Sequence, residues 1–307
     1  MNDTLDLRPA LAAPPRRPFG TRRSVAVTTV LLAAGAAVIV FPFLWMALGS
    51  FKTVADGNRY PPALLPAVWD VANYKEAWLA PPGTLGRYFV NTVIVAVAGT
   101  VGQVIVCSLA AYAFAQLSFR GRDALFAVVL GTMMVPGEIS LIPNFVTIRS
   151  FPLLGGNDLT GAGGTGLYDT YAGMILPGLV GAFNIFLLRQ AFKQIPRDLW
   201  EAAQIDGSNS FHYLWQVVLP LAKPALVTVF IFGLVSRWNA LLWPLIVTNG
   251  EDLRPVQLAM IYYQGEFRTD YGLVMAASLT VTRPIVALFL LMQKHFIEGI
   301  STTGLKG

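Results

Sequence analysis

The sequence predicts an all-α, polytopic membrane protein with six transmembrane helices. Three observations carry that expectation. Hydrophobic residues make up 55% of the 307 residues and charged ones only 13%, about half the ~25% of an average soluble domain. Mean hydropathy is strongly positive, at +0.57. Apolar stretches long enough to cross a ~30 Å hydrocarbon core recur along the chain, whereas the ~10-residue alternating segments of a β-barrel are absent. This composition argues against a soluble enzyme, a disordered scaffold and a nucleic-acid reader. The single cysteine, Cys107, excludes an intramolecular disulfide framework, and two histidines exclude a His-rich metal cluster. In so apolar a chain, the net charge of +5 reads as Lys and Arg gathered on the cytoplasmic face.

The first span is 25–48. No charge occurs between Arg23 and Lys52, and the segment is about 36 Å long at about 1.5 Å per residue. Five arginines (Arg8, Arg16, Arg17, Arg22, Arg23) precede it, as they would a signal peptide. A signal h-region runs only about 7–15 residues, so the segment reads as a retained span. Five more follow, at 88–117, 124–148, 171–190, 224–247 and 272–292. Several contain Gly or Pro, which membrane helices tolerate where neighbours satisfy the freed backbone groups. Ala110, Ala111, Ala113 and Ala115 permit close helix approach. With the N-terminus inside, 13 of the 22 Lys and Arg fall on the cytoplasmic side and 7 outside, while Arg237 and Arg283 lie within spans. That bias predicts a multi-pass protein of the cell membrane with both termini cytoplasmic. The organisation is then a tail over 1–23, a membrane domain over 24–295 with a cytoplasmic loop at about 191–223, and a second tail over 296–307.

The 191–223 loop carries helix signals of its own. Pro196 suits a first helical turn, with Asp198 and Glu201 where the helix dipole favours negative charge. Trp200, Ala203 and Phe211 supply apolar positions. Gly207 breaks this piece, Ser208-Asn209-Ser210 offers a new N-cap, and a second piece runs towards Leu219-Pro220. Composition alone is equally content with an ordinary interfacial connector.

The residue pattern goes further. Glu201-Ala202-Ala203, three residues, Gly207, nine residues, then Val217-x-Leu219-Pro220 resembles the EAA signature of bacterial ABC importer permeases, with valine where the family usually has isoleucine. Phe41-Pro42-Phe43-Leu44-Trp45, Ser50-Phe51-Lys52, Asn73-Tyr74, Tyr88-Phe89-Val90-Asn91-Thr92, Trp238-Asn239 and Trp243-Pro244-Leu245 look like the maltose-type carbohydrate permeases. So does the tail from Gln293-Lys294-His295-Phe296 to Leu305-Lys306-Gly307. The resemblance spans nearly the whole chain and implies the MetI-like fold of type I ABC importer permeases. It implies no enzyme but a permease subunit that moves a mono- or oligosaccharide by alternating access. It also implies that Glu201, Ala202, Ala203, Asp206, Gly207, Leu219 and Pro220 couple the permease to an ATPase. Glu201 then either contacts the dock or braces the loop, and Gly207 permits either a turn or a close approach that a β-carbon would block. The implied partners are a second permease, non-identical by preference over a homodimer, two copies of a cytoplasmic ABC ATPase, and an extracytoplasmic solute-binding protein. The sugar and the lipid bilayer complete the set, without nucleic acid.

No G-x-x-x-x-G-K-[ST] occurs in the chain, so ATP and Mg belong to the ATPase partners and this chain holds no cofactor. Gly161-Ala162-Gly163-Gly164-Thr165-Gly166 matches G-x-G-x-x-G, but no strand of a βαβ unit precedes it. The 155–166 region reads instead as a flexible external loop able to touch a binding protein. His212 and His295 share no element, so neither a metal site nor acid–base chemistry is expected.

Five residues are candidates for the substrate path. Glu138 interrupts the third span and either faces the path or pairs with an arginine, since charge within a span is costly and often functional. Asn91, Asn184, Trp238 and Asn239 have the amides and the ring face that sugars use, but they serve equally as interhelical donors and an interface anchor. Arg283, before Pro284, is a path residue or a kink partner, and Arg237 falls in the outer half of the fifth span. The outer loop 248–271, with Asn249, Glu251, Asp252, Tyr262, Tyr263 and Gln264, is by resemblance able to reach the binding protein, and otherwise a solvated connector. Other solutes (a polyol, a glycerophosphodiester or a peptide) fit the EAA pattern too. A membrane-embedded enzyme and a passive channel are the alternatives from other classes.

Overall fold

The computed structural model describes the backbone of residues 22–79, 84–262 and 270–304. Of the residues named above, Arg8, Arg16, Arg17, Tyr263, Gln264, Leu305, Lys306 and Gly307 lie outside that range, as do the side chains of Arg22, Arg23, Tyr262, Lys294, His295 and Phe296. The described residues form helices and turns, with no strand among them. Two units are distinguished, 1–46 and 47–307.

In the first unit, α1 (Arg22–Gly49) is exposed all round from Val25 to Leu44, the surface of a helix suited to lipid or to another chain. The second unit begins as α1 ends. Short helices α2 (Val54–Gly57) and α3 (Ala72–Leu79) lead to α4 (Leu85–Gln116), capped by Thr84, whose side chain accepts from the Arg87 amide. Two motifs about twenty residues apart meet here. Asn73 Nδ2 donates to the carbonyls of Ser50 at 3.0 Å and Lys52 at 2.8 Å, and the Ser50 and Tyr74 hydroxyls stand 2.7 Å apart. The Phe51 ring packs against both Trp69 and Tyr74.

Among the described residues, only α1, α4 and α15 (Tyr271–Gly304) are continuous helices long and apolar enough to cross a membrane. The expectation of unbroken helices at 124–148, 171–190 and 224–247 is corrected. The third span is α5 (Arg122–Thr132), a 3-10 turn Gly137–Ser140 and α6 (Leu141–Arg149), bent by 95°. Pro136 explains this break, since it lacks an N–H and disfavours helix at Val135. The fourth is α7 (Tyr171–Ile175), a 3-10 turn Leu176–Gly178 and α8 (Ala182–Lys193), bent by 52° around Pro177 and Gly181. In the 224–247 stretch, α12 (Lys223–Trp238) stops at Asn239 and α13 (Leu242–Val247) follows. Counting as one span each of the first two bent pairs, and α12 together with the Ser210–Leu221 stretch that precedes it at 82°, allows up to six. The stretch after α13 closes with α14 (Val256–Tyr262).

The main core lies where α4, α8 and α12 meet, around Cys107, Ala111, Ile185, Leu188, Phe192 and Val229. One end is fastened by Arg189. Its guanidinium is buried, donates from Nε to the Phe114 carbonyl at 3.1 Å, pairs with Asp123 at 3.3 Å and lies 3.8 Å over the Phe126 ring.

The 155–166 segment corrects the expectation of a flexible loop. Asn157 is buried; its Nδ2 donates to the carbonyls of Arg149 and Phe151, and its Oδ1 accepts from the Gly164 amide at 2.8 Å. Asp158 accepts from the Thr160 hydroxyl at 2.6 Å and from the amides of Thr160 and Ala162. These bonds, the hydroxyl foremost, hold its carboxyl below the ordinary carboxylate range. A β-carbon on Gly164 would collide with the Gly155 carbonyl, so the glycines serve tight folding and not a phosphate cradle.

Candidate functional site: a rigid hairpin and a polar core

The hairpin after α8 is built from capping chemistry. α9 (Asp198–Ile205) has Asp198 and Glu201 in its first turn. It ends in a Schellman motif, with the Gly207 amide donating to the Gln204 carbonyl at 3.0 Å and the Ser208 amide to the Ala203 carbonyl at 2.8 Å. Gly207 takes the left-handed conformation this needs, at φ +76°. A β-carbon there would meet nothing within 4 Å, so within the chain the turn, not close approach, explains the glycine. Asn209 then caps α10 (Ser210–Tyr213) by accepting from the His212 amide at 2.8 Å. A π-helical turn, Leu214–Val218, and α11 (Leu219–Leu221) complete the second arm, which meets α12 at 82°.

Two features stiffen the hairpin. Trp200 of α9 packs edge-on against Tyr213 of α10, ring centres 4.9 Å apart. Tyr213, Leu214 and Val218 are buried in the main core with α4 and α8. The other surface is bare. Ile205, Phe211 and Trp215 are each more than 60% exposed, with the two aromatic rings stacked at 6.4 Å. Glu201, Ala202, Asp206, Gly207 and Pro220 are exposed, and Ala203 and Leu219 half-buried. Glu201 makes no side-chain hydrogen bond or ion pair among the described residues. A cleft of about 380 Å³ lies between the arms, lined by Asp206, Gly207, Asn209, His212 and Gln216 among others.

The five path candidates do not share one site. Asn91 is fully buried; its Nδ2 donates to the carbonyls of Asp252 at 2.7 Å and Arg254 at 3.1 Å, and its Oδ1 accepts from the Tyr171 hydroxyl at 2.6 Å. Its amide is spent on fastening α4 to the stretch around Asp252 and Arg254. Trp238 is buried edge-on against Phe89. Asn239 is exposed, donates to the Val235 carbonyl and accepts from Gln257. Glu138 is exposed at the break of the third span. Asn184 is half-buried close to Gly181. Arg283 lies 5.3 Å from the Tyr74 ring, a structural partner for it.

The sequence reading missed Gln103. Gln103, buried in α4, accepts from Arg237 Nη1 at 2.8 Å. At about 1.5 Å per residue, Gln103 lies about 20 Å from the Gln116 end of α4 and about 27 Å from its start. Arg237 therefore meets α4 near the middle of that helix. The signal available was an isolated glutamine in an apolar span.

Residues 103–302 match the family described as "Binding-protein-dependent transport system inner membrane component". The chain belongs to that family. It is thus a membrane transport component and no enzyme. Among relatives, the probable ABC transporter permease protein YurM of Bacillus subtilis is 32% identical over 271 residues, covering 88% of this chain and 84% of that protein. The diacetylchitobiose uptake system permease protein NgcG of Streptomyces coelicolor is 29% identical over 282 residues, covering 91% and 88%. Among solved structures, a chain of a bacterial ABC transporter involved in the import of the acidic polysaccharide alginate superposes with a TM-score of 0.78 at 26% identity, covering 91% of this chain and all of that one. The inner-membrane permease fold accords with the three unbroken spans and the bent pairs.

Proposed function

We propose that this chain is one of two permease subunits of an ATP-driven importer for a carbohydrate, and that the α9–α11 hairpin is where a cytoplasmic ATPase grips it. The carrying observation is a hairpin rooted in the core through Tyr213, Leu214 and Val218 while Ile205, Phe211 and Trp215 stand bare. A rigid lever with an exposed apolar tip transmits the partner's motion to the spans, since closure of the ATPases favours one of two membrane arrangements. Glu201 and Asp206 add polar contacts at the dock, beside Ala202, Ala203, Gly207, Leu219 and Pro220. ATP and Mg are held by the ATPase pair. A solute-binding protein delivers the cargo from outside, where the 248–271 segment receives it. Both termini are cytoplasmic, and the second permease is a different chain. The carbohydrate cargo is supported by likeness to a diacetylchitobiose permease and an alginate importer.

The test is reconstitution of the complete importer with its binding protein in liposomes. Labelled oligosaccharide is expected to accumulate only with ATP inside and binding protein outside, and Phe211→Ala with Trp215→Ala to abolish co-purification of the ATPase. Uptake without ATP would overturn the coupling. A binding protein that takes a polyol, a glycerophosphodiester or a peptide in place of a saccharide would overturn the cargo.

A further inference from the structure

Arg237 reaches from α12 into the interface with α4 and the broken fourth span. Nη1 donates to Gln103 Oε1 at 2.8 Å and to the Gly233 carbonyl at 3.3 Å, and Nη2 donates to the Gly178 carbonyl. That last acceptor stands at the edge of the break between the 3-10 turn Leu176–Gly178 and α8. A broken helix leaves carbonyls without intrahelical donors, and within a membrane other groups must serve them. Arg237 serves Gly178 from one side. Cys107, the chain's one cysteine, serves the next carbonyls from α4, its Sγ standing 3.8 Å from Leu179 O and 3.9 Å from Gly181 O.

Space for the guanidinium is left by glycine on three elements. A β-carbon at Gly99 would fall 2.5 Å from Arg237 Nε, at Gly178 3.2 Å from Nη2, and at Gly233 3.3 Å from Nη1. No carboxylate pairs with Arg237 among the described residues. A charge held among apolar spans by neutral dipoles is costly compared with an apolar side chain, and such residues mark functional positions. Neutral acceptors also let go more readily than a desolvated counter-ion would.

We propose that Arg237 is a releasable catch: its fork holds α12 and α4 to the Gly178 edge of the break, and its release lets the fourth span change its bend as access alternates. Arg237 is a positioning residue here. The inference rests on the transport reading for the release step, but the closed catch itself is testable in resting protein. Cys107 lies against the same break, and its thiol reacts only as hydrated thiolate, so its modification rate reports how open the break is.

The experiment uses membrane vesicles carrying the whole importer, with N-ethylmaleimide as probe and the modified Cys107 peptide quantified. Without nucleotide, Arg237→Gln is expected to raise the rate roughly tenfold, the equivalent of losing one charge-assisted hydrogen bond. Arg237→Lys behaves similarly, because a single ammonium cannot hold the two sides at once. Gln103→Glu supplies the missing counter-charge, and is expected to slow both Cys107 modification and uptake several-fold at unchanged membrane level and ATPase co-purification. Unchanged modification in Arg237→Gln, or uptake at the parental rate in Gln103→Glu, overturns the catch. Should Arg237→Gln fail to accumulate, the Gln103→Glu result alone decides. Absence of carbohydrate uptake by the parent would sink the cargo reading and leave the resting-state measurement intact.

Discussion

A β-carbon on Gly207 would touch nothing within 4 Å, yet the residue sits at φ +76°, where an L-residue other than asparagine or aspartate costs about 1–2 kcal/mol. Two causes of failure on substitution are therefore separable. Gly207→Asn tolerates the left-handed turn, and the variant is expected to reach the membrane and melt as the parent does. If the ATPase lies against this turn, the same variant loses uptake, as does Gly207→Asp; normal uptake in both would remove Gly207 from the dock. Asn91 invites the opposite comparison. With three hydrogen bonds engaged, Asn91→Ala is expected to lose about 2–3 kcal/mol of stability, read as a lowered melting temperature in detergent. A residue of the substrate path would instead leave melting unchanged and raise the KM for uptake.

At the scale of elements, Arg189 ties α8 to the end of α4 and the start of α5. Arg189→Ala removes a hydrogen bond to a backbone carbonyl, an ion pair and a ring contact together, for a loss of about 2–3 kcal/mol; melting of the purified chain checks it. Gly164→Ala is expected to loosen the 155–166 loop, seen as faster protease cleavage from outside. The loop itself withstands mild acid. Asp158 has a depressed folded pKa, so its contribution is present above the unfolded value and fades only as pH falls through the lower folded one. Cleavage of the parent is therefore expected to be the same at pH 5 as at pH 7. These elements were unequally legible. The 25–48, 88–117 and 272–292 spans were readable because an unbroken apolar run has one outcome in a bilayer. The breaks at Pro136 and Gly181 were not, because a bent pair keeps the hydropathy of a straight helix and proline alone does not tell a kink from a break. The hairpin's caps, Gly207 and Asn209, were readable from residue type. The meeting of Gln103 with Arg237, 134 residues apart, leaves no mark on any local pattern.

On the scale of the whole molecule, the assignment depends on sidedness. In a Cys107→Ser background, Leu159→Cys is expected to react with an impermeant maleimide on intact cells, and His212→Cys only after permeabilisation; the reverse would invert the topology. The second arm of the hairpin also passes through a π-helical turn, Leu214–Val218, before reaching α12. Such a turn carries one residue more than α-helical winding needs. Excising Gln216 would let the arm rewind as α-helix with everything upstream keeping its heading, whereas the same excision from a regular α-helix would spin it by about 100°. The stacked Phe211 and Trp215 would still face the same way, because the wide turn is slack in the shaft and taking it up leaves the bit of the key uncut.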